Sequence, residues 1–408
     1  MIVRERVLVL GAGIQGVCAA LILRNAGYAV TLIDKAPAPL LRAGLRNEGK
    51  VHLGFIYVND PTFETPLLML RSALAFASTV EECVGARVNW DACVSRAFSY
   101  VVARDSMVPL GDLLERYERL RLAYVECMRD DGVSYLGHRP TSLWSRASSA
   151  SLGGLLAETA AGAVETVEVA LDLRELRRIL CASLERGVDT LFGHSVDSAV
   201  RTPWGFRVGG MTAQGQAWQR DAAIVVNCLW DGRITLDREL GFVPARRWVY
   251  RLKYRLLGTL PPELQRLPSL SVVLGPYGDL VVYPHNRIYL SWYPACMYGW
   301  STDVAPPQAW EAPCDGRVNS DVASSLRRQA LDGFAKLVPG LERAAIDTID
   351  AGVIFSWGET DIDDPDSALH RRSAIGISRH QGYFSVDPGK MTCAPFFARQ
   401  LASLVKDT

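Results

Sequence analysis

The sequence predicts a mixed α/β protein, α+β overall, with a parallel-sheet unit cut into separated stretches and an antiparallel sheet inserted between them. Three observations predict this. Arg6 to Asp34, RVLVLGAGIQGVCAALILRNAGYAVTLID, reads as strand, glycine-rich turn, helix and strand. From about Ala245 to Trp300, alternating Arg, Tyr, Val and Trp residues (RRWVYRLKYR, then GDLVVYPHNRIYLSWYP) have the pattern of an antiparallel sheet, not of further βαβ units. From Gly352 to Thr392 glycine-rich turns return, followed by a helix from Pro395 to Val405. At 408 residues the chain is too long for one simple core, so two domains are expected.

Taken in order, Val7 to Leu10 is a run of branched apolar residues, as in a strand buried on both faces. Gly11, Gly13 and Gly16 form G-x-G-x-x-G, and Val17 to Arg24 reads as a helix. Ala29 to Ile33 is a second apolar strand ending at Asp34. Gly11 permits the tight turn, Gly13 lets a pyrophosphate approach the backbone, and Gly16 lets helix and strand pack closely. The helix N-terminus directs free N–H groups at phosphates, and Asp34 falls where an acid takes ribose hydroxyls. Strand, turn, helix and acid together predict a Rossmann-like dinucleotide-binding domain. The expected boundaries put residues 1–85, 160–235 and 345–408 in that domain, and 86–159 and 236–344 in a substrate-binding domain.

Lys35 to Pro39 is a proline-punctuated exit from the second strand. Leu45 to Asp60 has no clear period and is expected to line a site. Helices are expected over Pro66–Val84, Leu110–Arg129 (with a charged, solvated face) and Val322–Val338, and strands within Val88–Ala103 and at Glu165–Val169. Asp172 is positioned to cap a helix from Leu173 to Arg186. Gly193–Val200 and Gly205–Val208 read as a strand and its hairpin partner, and Ala222–Cys228 as a buried strand.

Lys+Arg 44 against Asp+Glu 44 leaves no basic field to hold nucleic acid or an anionic membrane. The nine cysteines are scattered with no C-x-x-C pair, the usage of reduced thiols, and no metal site is expected. No apolar stretch reaches the ~18 residues needed to span a bilayer. The chain enters a strand almost at once, so no secretory signal is expected. A soluble cytoplasmic protein is the expectation.

Four separated segments then agree. VLVLGAGIQGVCAALILRNAGYAVTLIDK, NEGKVHLGFIY, AAIVVNCLWDG and GYFSVDPGKMTCAPFFARQLAS resemble the D-amino-acid-oxidase-like superfamily of FAD-dependent oxidoreductases. Asn47 to Tyr57 looks like the N-x-G-x-x-H-x-G-x-x-Y segment of L-2-hydroxyglutarate dehydrogenases and oxidases. The resemblance implies that Gly11, Gly13 and Gly16 take the FAD pyrophosphate and that Asp34, with Lys35 beside it, takes the adenosine ribose. It places Asn47, Gly49 and Lys50 along the cofactor, Val196 in a strand holding adenine through its backbone, and Cys228 and Trp230 where the middle strand ends. Gly389, Lys390, Met391 and Thr392 would close over the flavin ring. Two departures stand out: Asp34 replaces the more frequent Glu, and Trp230 adds a bulky wall where relatives have small residues.

A flavin oxidises by taking hydride from a carbon bearing –OH or –NH2, while the protein grips the substrate and removes the heteroatom proton. His52 is the first candidate for the base; covalent FAD attachment and a purely structural role stand beside it. Lys390, at the last helix, would stabilise negative charge on the reduced ring. Arg247, Arg251, Arg255 and Arg287 are candidates to fork a carboxylate, or else form a charged outer face; Arg287 is the best placed of them. Tyr57, Tyr283, Tyr293 and Trp357 would form an aromatic wall or a buried core, and Asp361, Asp363 and Asp364 read as a capped turn. The expected partners are a small-molecule substrate, a hydroxy acid, an amino acid or amine, or a sugar derivative, and an electron acceptor, either O2, a quinone or a protein. An NAD(P)-dependent dehydrogenase and a non-catalytic nucleotide-binding scaffold are the alternatives.

Overall fold

A computed structural model describes residues 5–148, 158–362, 364 and 366–408. Strand β1 (Arg6–Leu10), helix α1 (Ile14–Asn25) and strand β2 (Ala29–Asp34) form the expected βαβ start. Val7 to Leu10 are all buried, and α1 is buried from Ile14 to Leu23. A helix apolar on every face must be covered on every face, and α1 lies between its sheet and the helices Glu64–Val84 and Ala394–Lys406.

The 6-stranded sheet runs in the order Gly376–His380, Tyr383–Asp387, Ile224–Asn227, β1, β2, Asp189–Phe192. All neighbours are parallel except the first pair. β1 is flanked by β2 on one side and by Ile224–Asn227, far along the chain, on the other. Their carboxyl ends therefore open the crevice where α/β sheets bind ligands.

A 9-stranded sheet forms the second layer, built mainly on the long antiparallel pair Trp248–Thr259 and Ala345–Trp357. Its strands are antiparallel apart from Ser269–Val273 on Phe98–Ala103. Two of its strands, Ala160–Thr166 and Ala345–Trp357, fall in stretches expected to belong to the nucleotide-binding unit. The chain crosses between layers later than composition indicated. A small 3-stranded sheet carries the hairpin Ser198–Thr202 and Gly205–Met211 with Ala217–Ala222.

The expected helices are present as Glu64–Val84, Leu110–Cys127, Leu173–Leu184, Ser320–Ala335 and Ala394–Lys406. Asp172 caps the third of these by accepting the Arg174 N–H at 2.9 Å. Leu110–Cys127 is amphipathic, not merely a surface helix: Leu113, Tyr117, Leu120 and Tyr124 are buried beneath its charged face. Asp361 accepts from Arg251 and Tyr293, so it serves a buried arginine; Asp363 lies outside the described residues.

Candidate active site

At the switch point lies a cleft of about 550 Å³, within the range of cofactor sites. Gly11 and Gly13 form its floor, with Asp34 and Lys35 at one end and His52, Lys253 and Lys390 at the other. Gly11 has φ +95, and a Cβ there would collide with the Cys228 carbonyl, whereas a Cβ on Gly13 would meet nothing within 4 Å. Gly11 is thus required by packing, whereas Gly13 lines the cleft with open space about it. Gly16 lies behind them, where any Cβ would run into the Gly11 carbonyl.

Asp34 accepts the N–H groups of Ala12 at 2.5 Å and Ala36 at 2.7 Å, which ties the glycine turn to the end of β2. Each carboxylate oxygen keeps a lone pair for a further donor. Burial pushes the Asp34 carboxyl up, opposed by these same N–H groups. Gln15, in the first turn of α1, is 4 % exposed, lines the cleft, and has neither amide atom bonded. A buried unpaired amide costs free energy until a ligand satisfies it, so the cleft fits an extended polar cofactor.

The other residues expected along the cofactor separate into two groups. Asn47, Lys50, Val196, Cys228, Trp230, Gly389 and Met391 line the cleft. Gly49 does not: at φ +72 it packs against the backbone of Leu171, and its role is close approach. Asn47 spends its amide locally, donating to the Ala43 carbonyl at 2.9 Å and accepting the Gly49 N–H at 2.8 Å. Val196 lies in the loop before Ser198–Thr202, a correction to its expected place on a strand. Trp230 donates its indole N–H to the Val353 carbonyl at 2.8 Å, walling the cleft from the second layer. Thr392 is fully buried; its hydroxyl accepts the backbone N–H of His52 at 3.0 Å and donates to the Lys50 carbonyl. It staples the last helical segment to the 45–60 block.

At the inner end, the His52 ring lies edge-on to Tyr57 at 5.3 Å, with Tyr57 itself behind the cleft wall. Burial drives the His52 pKa down to about 4, against the pull of the Glu48 carboxylate 3.6 Å from Nε2, so the imidazole is neutral at pH 7. Burial likewise lowers Lys390 to about 7, with Arg372, Lys253 and Arg251 adding to it and Glu48 opposing. Glu48 is held well below the ordinary carboxylate range: burial would raise it, but Lys253, the neighbouring His52 ring and Lys390 prevail. Lys50 is buried beneath this group, bonded to Asp279 at 2.7 Å and to Ser271, and stacked over Phe98.

Arg287 is not part of this site. It sits half-exposed at the start of an interior strand, in an ion pair with Asp347 and bonded to Thr259, away from the cleft. The alternating pattern that drew attention to it marks an outer pair. Arg247 is exposed beside Glu359, and Arg255 is locked on Asp350. Arg251 is buried on Asp361 and Tyr293. Tyr283 donates to the Glu48 carbonyl at 2.7 Å and Trp357 to Asp387 at 2.7 Å, so both are structural.

Sequence reasoning missed Glu48, Lys253, Glu168 and Arg372. Arg372 lines a small cavity that shares Gly389 with the cleft. Only Glu48 carried a signal, its place inside the N-x-G segment. Among the described residues no group of His, Cys, Asp and Glu could hold a metal, and no helix is long and apolar enough to cross a membrane.

A two-layer protein with a glycine-floored crevice at its switch point is a dinucleotide-dependent enzyme in architecture. Residues 6–404 match the family model described as FAD dependent oxidoreductase, and the chain belongs to that family. The resemblance read from its four motifs holds, and FAD replaces the NAD(P) alternative. Glycine oxidase from Geobacillus kaustophilus shares the fold at TM-score 0.68 and 15% identity, covering 99% of this chain and 95% of that one. The FAD-bound L-alpha-glycerophosphate oxidase from Mycoplasma pneumoniae does so at TM-score 0.67 and 12% identity, covering 99% and 94%. A D-amino acid dehydrogenase of Sinorhizobium medicae (strain WSM419) is 48% identical over 50 residues, a match spanning only 12% of each chain.

Proposed function

We propose that this protein oxidises a small carboxylate-bearing amino acid, amine or hydroxy acid, removing hydride and a proton from a C–NH or C–OH group. FAD, when bound, supplies the hydride acceptor. Gly11, Gly13, Gln15, Asp34 and the Gly389–Met391 turn would hold it. One observation carries the substrate reading. Around the inner end, Lys253 in the cleft and Arg251 behind it face carboxylates, but among the described residues Lys390, and Arg372 in the adjoining small cavity, have none within ion-pair distance. The excess of cationic groups favours an anionic substrate, and Arg372 takes the gripping role first assigned to Arg287. His52, neutral and cleft-facing, is the proton acceptor. The matched stretch of a D-amino acid dehydrogenase and the fold shared with glycine oxidase support an amino acid over a sugar. The electrons pass on to O2, a quinone or a protein, and the nine unpaired cysteines fit a reducing, cytoplasmic setting.

The purified protein should be yellow, absorbing near ~450 nm, and should bleach anaerobically with one of a panel of amino acids, N-methyl amines and hydroxy acids. His52→Ala should slow that bleaching about a hundredfold. A protein that holds FAD yet bleaches with no compound would instead be a scaffold.

A further inference from the structure

His52 lies between two buried carboxylates, one at each ring nitrogen. Nε2 is 3.6 Å from Glu48 on the cleft side, and Nδ1 is 4.0 Å from Glu168 on the far side. Nδ1 is buried and has no hydrogen-bond partner. Glu168 is wholly buried and pinned in place: one oxygen accepts the Leu53 N–H at 2.5 Å and the other the Tyr100 hydroxyl. It does not line the cleft, so it reaches a substrate only through the imidazole.

We propose that Glu168 is a positioning residue that selects which nitrogen of His52 carries the ring proton, and thereby whether Nε2 can accept a proton in the cleft. This rests on the reading of His52 as the proton acceptor. A neutral imidazole has one N–H and one lone pair. Glu48 is ionised and can only accept, so it draws the Nε2–H towards itself. Nδ1 is then a lone pair whose natural donor is a protonated Glu168. In that state Nε2 is occupied and takes nothing from the substrate.

Burial pushes Glu168 up to about 7, against Lys50, the Tyr100 hydroxyl and the Leu53 N–H. Once ionised, Glu168 can only accept, and its charge facing the Nδ1 lone pair favours transfer of the ring proton to Nδ1. Nε2 is then free. The substrate's heteroatom proton goes to Nε2, while the carbon-bound hydrogen leaves with both bonding electrons as hydride to FAD. The groups facing this pair are Glu48, Lys50 and Lys390 around the ring, and Lys50, Tyr57, Tyr100, Tyr117, Tyr135 and Asp279 around Glu168.

The test uses FAD-loaded protein, with D-alanine as the first substrate probe and 15N-histidine NMR as a readout that needs no substrate. In the wild type, flavin reduction should rise through a step near pH 7 as the His52 proton moves from Nε2 to Nδ1. Glu168→Gln presents a permanent N–H to Nδ1. It should hold the Nε2–H form at every pH, erase the step and lower the plateau rate about tenfold, with KM little changed. Tyr100→Phe removes a bond that lowers Glu168 and should move the step upward. A Glu168→Gln protein whose His52 signals and pH step match the wild type overturns the proposal. Should His52→Ala reduce its flavin at the normal rate, the acceptor reading falls instead, and the NMR tautomer still decides whether Glu168 governs the ring.

Discussion

Lys390 sits against its own chemistry. Its ammonium is desolvated beside Arg372, Lys253 and Arg251, with Glu48 favouring its charge, which leaves its pKa at about 7 against about 10.4 in an unfolded chain. Between those values the unfolded chain binds the extra proton, so FAD-free protein should gain stability as pH rises from about 7 to about 10.4. Lys390→Met should flatten that slope and raise the melting temperature of FAD-free protein at pH 7 by about 2–4 °C, read by thermal scans across pH. The same substitution should slow flavin reduction or reoxidation, because a cation beside a reduced flavin favours its negative charge. Lys390 and His52 were legible because each sits in a short motif, G-K-x-T and N-x-G-x-x-H. Glu48, Glu168, Lys253 and Arg372 were not legible as a group. They come from distant stretches, three of them in irregular segments, and only the tertiary fold brings them near one another.

At the scale of elements, legibility followed sequence distance. β1, α1 and β2 are specified by residues that touch their own neighbours, so glycines, apolar runs and the terminal acid were enough. Ala345–Trp357 pairs with Trp248–Thr259 along its whole length, yet nothing within it tells which sheet it joins. That pairing is decided by a partner distant in the chain, and the stretch was expected in the wrong layer. The turn between β1 and α1 yields the sharpest test at this scale. Gly16→Ala would drive a methyl into the Gly11 carbonyl, and Gly11 is already pressed on Cys228. Overpacking of this kind costs about 1–3 kcal/mol, and here it displaces the N–H groups meant for a diphosphate. FAD affinity, measured by fluorescence titration, should fall about tenfold or more. Gly13→Ala, facing open space, should keep the fold and lose affinity alone.

At the scale of the whole molecule, the two layers are clasped across the adenosine end of the cleft. Lys35 and Arg42 follow β2, while Glu311 and Asp315 belong to a turn of the second layer whose Ala305, Pro306 and Cys314 also line the cleft. Arg42 pairs with Glu311 at 2.6 Å and Asp315 at 3.1 Å, and Lys35 with Glu311 at 3.0 Å. These side chains are partly exposed, and each pair alone contributes about 0–1 kcal/mol. Together they join the two layers over the Asp34 end of the cleft, so their effect is expected in cofactor release more than in folding. Glu311→Gln should raise the FAD dissociation rate about fivefold, seen as faster recovery of free-FAD fluorescence on dilution. High salt should bring the wild type towards the mutant, since screening weakens exposed pairs. The flavin spectrum and the pH step at His52 should stay unchanged, because the inner end lies beyond the clasp. Equal release rates at every salt concentration would mean that the junction is held by apolar packing around Pro306 and Cys314, and that the ion pairs merely decorate it.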